Sequence, residues 1–283
     1  MPELPEVETM RRGIAGIAGS RIAAVTFPRS RVRPISIEPR AASLARRLAG
    51  RQVAAVHRRG KRIVIEIAPE AGDDRWWLAI EPRMTGLMLL VEPPTVEHVR
   101  MVVDFARGWR ERLTFWDRRG LGTIRLFDDA GLDRACGPHK HGPDGLAVTG
   151  DDLAARLGES RRAVKVALLD QRAVAGIGNI YAAEILHRCG IDPRSRCRRL
   201  KRAQWEAIAN ETRRVLAEAV RHEGSSIGDE TYRTADNRVG RFQRRHRVYG
   251  REGERCSGCG GAIVRIVQAQ RATFFCPSCQ RRA

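Results

Sequence analysis

The chain has 283 residues, enough for two or three domains with cores of their own. Hydrophobic residues make up 42%, which excludes a disordered chain, and no apolar run reaches the length of a membrane span. Lysine and arginine number 52 against 33 acidic residues, a net charge of +19 that repels itself unless a polyanion sits on it. Nucleic acid is the first partner this implies, and an anionic membrane surface the second.

The chain opens MPELPEVETM. Pro5 suits the first turn of a helix, where a missing N–H costs nothing. Val7, Met10, Ile14 and Ile17 recur at spacings of three and four, so a helix over about Glu6 to Ala18 with one buried face is predicted. Neither feature explains Pro2 or Glu3.

From Ile22 to Leu126 short apolar stretches alternate with Gly, Pro and charge. A second short helix fits Ser43 to Leu48. Strands are predicted at Ile63 to Ala68, Trp76 to Ile80, Leu87 to Val91, Val99 to Phe105, Leu113 to Asp117 and Thr123 to Phe127. The last two flank a glycine-bearing loop, RRGLG. Strands at this density suggest a β-sandwich or barrel.

CGPHKHGPDG, Cys136 to Gly145, reads as an interdomain linker rather than a Cys/His metal site. The period then becomes helical. Leu153, Leu157, Val164, Leu168 and Leu169 fit one or two helices. Another runs from about Asn179 to Cys189, stopped by Gly190, and a longer one from about Lys201 to His222, stopped by Gly224. The stretch from Ser225 to Gly250 is basic and aperiodic, a long and mobile loop by expectation.

The seven cysteines are an odd number with no export signal visible, so reduced thiols and metal ligands fit better than a disulfide framework. Cys256-x-x-Cys259 and Cys276-x-x-Cys279, 16 residues apart, match a four-thiolate structural Zn²⁺ site. Four thiolates leave no open coordination position. AIVRIVQ and ATFF alternate like two strands, placing Gln270 and Arg271 at a hairpin tip.

GIGNIYAAE, Gly176 to Glu184, begins like a dinucleotide fingerprint, but Tyr181 stands where a third glycine belongs and no strand precedes it. A helix starting near Asn179 fits better, with Asn179 serving either as a cap or as a contact to phosphate.

PELPEVE at the N-terminus, AGIGNIYAAE in the helical middle and QRATFFCPSC in the terminal ribbon resemble the formamidopyrimidine-DNA glycosylases, bifunctional base-excision repair enzymes. The resemblance spans the chain. It implies an α+β multidomain protein: an N-terminal catalytic β-sandwich over 1–135, a linker over 136–148, a helix–two-turn–helix domain with a lesion-covering loop over 149–240, and a zinc-finger β-hairpin over 241–283. DNA is expected clamped between domains. The expected partner is double-stranded DNA containing damaged bases, met by a monomer without membrane involvement in a cytoplasmic, nucleoid-associated setting. The expected cofactor is one structural Zn²⁺ on Cys256, Cys259, Cys276 and Cys279.

The same resemblance assigns roles. The Pro2 amine, freed by removal of Met1, is the nucleophile on C1′ of the damaged nucleotide. Glu3 is the general acid/base. Lys61 contacts phosphate and serves elimination. Arg271 binds phosphate and serves the δ-elimination. Met84 fills the gap left by the flipped base, Arg119 inserts opposite the lesion, and His98 lies near the DNA. Arg161, Lys165 and Asn179 match phosphate-binding positions. Leu121 stands where the family often has an aromatic wedge, preceded by Gly120. Glu81-Pro82-Arg83 replaces a usual His-Leu-Gly, and a carboxylate at 81 is expected to repel phosphate. The expected substrates are oxidised purines, 8-oxoguanine and formamidopyrimidines, released with β,δ-elimination strand cleavage. The alternatives are an endonuclease VIII-type enzyme for oxidised pyrimidines and a non-catalytic zinc-ribbon protein that binds damaged DNA.

Overall fold

A computed structural model describes residues 2–30, 33–70, 75–228 and 231–283. Met1, whose removal the resemblance requires, lies outside them. The chain divides into two units, Met1–Gly137 with His222–Arg241, and Pro138–Arg221 with Phe242–Ala283.

The first unit begins with helix α1, Leu4–Ile14, continued by a single 3-10 turn, Ala15–Ile17. Val7, Met10, Ile14 and Ile17 are fully buried, as their spacing predicts, and so is Leu4. Two antiparallel-rich sheets share one core with this helix. The four-stranded sheet orders β1 (Arg21–Thr26), β7 (Val99–Arg107), β8 (Arg112–Asp117) and β6 (Gly86–Leu89). The five-stranded sheet orders β2 (Ser36–Glu38), β9 (Thr123–Phe127), β5 (Trp76–Glu81), β4 (Arg62–Ile67) and β3 (Val53–Arg59). In β1 Ile22 and Val25 are buried while Arg21, Ala23 and Thr26 are exposed, the three-residue spacing of the buried pair spanning a register shift at Ile22–Ala24. Each aliphatic side chain so buried contributes roughly 1.5–3 kcal/mol. Helices α2 (Ala41–Leu48) and α3 (Asp129–Cys136) pack on this unit, so the expected linker is shorter by its first residue.

One ion pair fastens α1 to the sheet. Glu8, on the helix, accepts from Arg58 Nε of β3 at 3.0 Å and also from Arg11 and Arg12. Burial alone would raise the Glu8 carboxyl; the three arginines outweigh it and hold it below the usual carboxylate range.

Residues 225–240, expected with the helical domain as a mobile loop, pack with the sandwich instead. Ala235, 1% exposed, accepts the Leu90 N–H at 2.9 Å, and Ser226 Oγ bridges Tyr232 O and the Gly240 N–H.

The second unit holds α4 (Gly150–Leu157), α5 (Val164–Leu168), α6 (Asn179–Arg188) and the long α7 (Arg202–Arg221). The ribbon hairpin, β10 (Val264–Gln268) and β11 (Arg271–Phe275), turns through Ala269 and Gln270, both left-handed at φ 45° and 58°. Glu184 of α6 is fully buried and accepts the backbone N–H groups of Arg247, Val248 and Tyr249 at 2.8–3.0 Å. Val248, Ile263 and Cys276 pack with Ala183 of the same helix, so the ribbon is seated on α6.

Candidate active site and metal centre

In the first unit the residues near the N-terminus are buried rather than frayed. Glu3 is the N-cap of α1 and is 1% exposed, and Pro2 is buried beside it. The Glu3 N–H donates to Glu6 Oε2 at 2.9 Å. The other oxygen, Oε1, accepts the Ser225 N–H at 2.7 Å. Gly224 sits at φ +75°, and a Cβ there would come within 2.8 Å of Glu6 Oε1, so only glycine lets the segment close on that carboxylate. Tyr232, 5% exposed, donates its hydroxyl to Glu6 O at 3.4 Å; burial pushes that phenol well above its usual range and keeps it a donor.

A cavity of about 110 Å³ opens on this arrangement, lined by Met84, Thr85, Arg119, Ser225, Ile227, Thr231 and Tyr232. Two expected wedge residues, Met84 and Arg119, therefore share a wall with the segment expected to cover the lesion. Met84 is 36% exposed at the turn between β5 and β6.

Asp117 shapes the loop that carries Arg119. It is fully buried; its carboxylate accepts the Thr85 hydroxyl at 2.5 Å, the Arg119 N–H at 3.2 Å and the Gly122 N–H at 2.7 Å. Its own carbonyl accepts Nε of Arg100 at 2.9 Å. Arg100 is 3% exposed, and both its terminal nitrogens are buried without a hydrogen-bond partner among the described residues. Burial pulls that guanidinium below its usual range, and Asp117 offsets part of this. Gly120 holds φ +61°, where a Cβ would collide with Arg33 O, which accounts for glycine in place of a bulkier residue. Leu121 is half-buried at the same loop.

Lys61 and Gly60 form the tight β3–β4 turn, and Lys61 is half-buried. His98 is half-buried, its ring edge-on to Trp116 at 5.4 Å. The expectation for Glu81 is corrected: it does not stand as a bare carboxylate. Arg62 and Arg83 pair with it at 3.1 and 3.3 Å, so its charge is neutralised where it sits.

In the second unit Lys165 is completely buried. Its ammonium reaches Asn179 Oδ1 at 2.6 Å, Thr273 Oγ1 at 2.7 Å and Ala272 O at 3.2 Å, which uses all three donors. Asn179 Nδ2 donates to Ala272 O at 3.0 Å. Gly178, not Asn179, is the N-cap of α6, so the Asn179 side chain ties the helix start to the hairpin. Arg271 is exposed as the first residue of β11, one step from the tip, and Arg161 is exposed ahead of α5.

Cys256, Cys259, Cys276 and Cys279 bring their sulfurs within 4.8 Å of one another, the single cluster of metal-ligand type among the described residues. The Gly258 N–H lies 3.4 Å from Cys256 Sγ and His187 Nε2 also lies 3.4 Å from it, contacts that suit a thiolate. Four sulfurs in that space fit one tetrahedral Zn²⁺ with no open position. The zinc is structural.

Sequence reasoning missed Glu6, Asp117, Arg100 and Tyr232. Glu6 lies within PELPEVE and Asp117 ends a predicted strand just ahead of RRGLG; Arg100 and Tyr232 carried no local signal.

The comparisons agree with this anatomy: a sheet unit with a buried N-terminal helix cap, a helical unit and a four-thiolate ribbon define a zinc-containing DNA-repair glycosylase architecture. The family models of the formamidopyrimidine-DNA glycosylase N-terminal domain, of its H2TH domain and of the zinc finger found in FPG and IleRS match residues 1–124, 141–231 and 253–282. Formamidopyrimidine-DNA glycosylase of Chloroflexus aurantiacus is 40% identical over 288 residues, 99% of this chain and 98% of its own. That of Paracoccus denitrificans is 40% identical over 297 residues, covering 99% and 100%. The Lactococcus lactis Fpg in complex with abasic-site DNA superposes with TM-score 0.85 at 30% identity, over 99% of this chain and 100% of that one. MutM in complex with carbocyclic 8-oxo-G DNA gives 0.83 at 30%, over the same shares. The chain belongs to the formamidopyrimidine-DNA glycosylase family.

Proposed function

We propose that this protein is a base-excision repair DNA glycosylase/AP lyase that removes oxidised purines, 8-oxoguanine and formamidopyrimidines, from duplex DNA and cleaves the strand. The observation that carries the reading is the joining of the N-terminus to the lesion segment: Pro2 and Glu3 are buried at the cap of α1, and Glu6 ties that cap to Ser225 beside the Met84–Arg119 cavity. Relatives solved with abasic-site and 8-oxo-G DNA support it. The curated relatives favour it over an oxidised-pyrimidine enzyme or a non-catalytic binder.

The chemistry follows from the amine. After removal of Met1, Pro2 carries a free secondary amine, and α-amino groups titrate near 8 while lysines titrate near 10.4, so the amine is the better nucleophile at neutral pH. Its lone pair attacks C1′, the bond to the base breaks, and the base leaves with a proton. The C1′–O4′ bond then breaks, with Glu3 giving O4′ its proton, and leaves an iminium without an N–H to shed. The positive nitrogen acidifies the C2′ hydrogen; a base removes it, the C3′–O bond breaks with the phosphate as leaving group, and a second elimination releases the 5′ phosphate. Water then hydrolyses the adduct. Glu3 is the proton carrier on the sugar, and Lys61 and Arg271 hold phosphates and serve the eliminations. Met84, Arg119 and Leu121 fill the opened stack, which costs a few kcal/mol to open. His98, Arg161 and Asn179 meet the backbone. Lys165, buried and fully bonded, acts through Asn179 and the β10–β11 hairpin rather than by touching phosphate itself. The protein works as a monomer in the compartment that holds the nucleoid; no described helix is long and apolar enough to cross a membrane.

The test is product analysis on matched duplexes carrying 8-oxoguanine, a formamidopyrimidine or an oxidised pyrimidine. Release of the two purine lesions well ahead of the pyrimidine supports the proposal. Preferential release of the pyrimidine transfers the protein to the endonuclease VIII-type reading.

A further inference from the structure

A second basic surface lies in the helical unit, built from arginines to which no role is assigned above. Arg194, Arg196, Arg199 and Arg282, with Ser195 and Ala283, line a groove of about 360 Å³. Asp192, 2% exposed, is the one carboxylate among the described residues that pairs with these arginines. Arg194 chelates it at 2.6–3.2 Å, and Arg282 stands 3.8 Å away. Burial alone would raise the Asp192 carboxyl; the Arg194 bonds outweigh it and keep it ionised. Arg194 also lies over the Phe275 ring at 4.8 Å, so it is held on two sides. Arg196 and Arg199 are exposed, and among the described residues neither side chain has a hydrogen bond or ion pair. Four guanidiniums thus line a groove with no acidic side chain among its lining residues, and the carboxylate that two of them reach, Asp192, is already chelated by Arg194.

The groove is continuous with the phosphate-binding candidates of the same unit. Ala163 bridges Arg196, the Val164 N–H donates to Ser195 O at 2.8 Å, and the Arg198 N–H donates to Ser160 O at 3.0 Å. The groove segment therefore runs beside Arg161. On its other flank Gln268, next to the hairpin tip, donates to Pro193 O at 3.3 Å. Phe275 lies four residues along β11 from Arg271, about 13 Å at the rise of a strand. That is about four steps of a DNA strand at roughly 3.4 Å per charge.

We infer that this groove is a distal phosphate site: Arg196 and Arg199, framed by Arg194 and Arg282, take the DNA backbone beyond the nucleotides held by Arg161, Asn179 and Arg271, lengthening the footprint of the enzyme. The inference rests on the repair reading above. A fixed, concave array of planar donors suits a phosphodiester, which guanidinium binds with two parallel bonds. It supplies affinity without sequence preference, and it accounts for part of the excess positive charge.

The experiment uses the zinc-loaded protein and two lesion duplexes, one trimmed close to the lesion and one extended by about one helical turn, ~34 Å, on each side. Affinity is measured across a salt series for wild type, Arg196→Ala/Arg199→Ala and Arg196→Lys/Arg199→Lys. On the long duplex the alanine pair is expected to flatten the slope of log affinity on log salt by about 1.8, at ~0.9 per phosphate lost. On the short duplex its affinity and its borohydride cross-link yield stay at wild-type levels, and the lysine pair restores most of the slope on the long one. An unchanged slope on the long duplex overturns the inference while leaving the repair reading intact. An unchanged DNA slope with lost binding to a poly-glutamate peptide assigns the groove to an acidic protein partner, and also overturns it. Failure of wild type to bind either lesion duplex overturns the repair reading and this inference with it.

Discussion

Glu6 accepts the Ser225 N–H at 2.7 Å with one carboxylate oxygen and the Glu3 N–H at 2.9 Å with the other. A single side chain thus couples the N-terminal end of the chain, the proposed catalytic end, to the Ser225 segment, across 219 residues of sequence. A hydrogen bond to a charged group is worth about 1.5–3 kcal/mol, roughly 10- to 150-fold in an equilibrium. Glu6→Ala is expected to cut excision of 8-oxoguanine by about that range while changing lyase activity on a pre-formed abasic site by less than about 3-fold. The abasic nucleotide presents no base for the Ser225 segment to hold. Side-by-side rates on the two substrates check this, and equal losses would reject the coupling.

Leu121 tests the wedge. Base–aromatic stacking is worth about 1–3 kcal/mol, and the low end applies in a duplex only partly opened. Leu121→Phe is expected to tighten binding to 8-oxoguanine duplex by about 5-fold and leave abasic-site cleavage unchanged. Leu121→Ala moves the first quantity the other way. If both substitutions instead lower the melting temperature and depress the two activities equally, Leu121 is a packing residue.

The Lys165 ammonium organises the start of α6 and the hairpin together. Its replacement by methionine keeps the volume and removes the three bonds. DNA affinity is expected to fall, and Arg271→Ala is expected to add little in that background, because the hairpin has already lost its placement. A double-mutant cycle on DNA binding measures this. Strict additivity would mean that Lys165 meets phosphate independently.

The Glu8 carboxyl is held below its ordinary value, and the sign of its effect on stability follows. A depressed folded-state value means that the unfolded chain binds the proton more readily. The contribution is therefore complete above the unfolded value of about 4.3 and is lost as pH falls through the lower folded value. Glu8→Gln is expected to lower the melting temperature at pH 7, by an amount that corresponds to about 2 kcal/mol. The difference from wild type should shrink toward zero below the folded value. A difference that stays constant with pH would show that the Arg58–Glu8 pair does not anchor α1.

Much of the fold could be read from the chain because the strongest signals were local. Strands β4 to β9 announced themselves by β-branched and aromatic runs between turn residues. The four cysteines announced the metal. Strands β1 and β3 were missed because Arg21, Arg58 and Arg59 interrupt their apolar alternation, leaving only Ile22, Val25, Val53 and Val56 facing in. The segment after α7 read as a mobile loop because its holdfasts, Glu6, Leu90 and the left-handed Gly224, are far away in sequence or invisible as side chains. In the chain Lys165 matches a phosphate-binding position; that its ammonium is buried between a helix start and a strand depends on two segments over 90 residues apart, Asn179 and Ala272. Glu81 misled for the same reason, since its neutralising partners, Arg62 and Arg83, sit on a neighbouring strand and on the turn after it.

The central claim is that the Pro2 amine forms the covalent intermediate. Borohydride reduction during turnover of abasic-site DNA, followed by peptide mapping of the cross-link, measures it directly. The account predicts a single adduct on Pro2 in protein lacking Met1, and none when Met1 is retained or a tag precedes it. Efficient trapping with a blocked N-terminus, or an adduct mapped to Lys61, would contradict it.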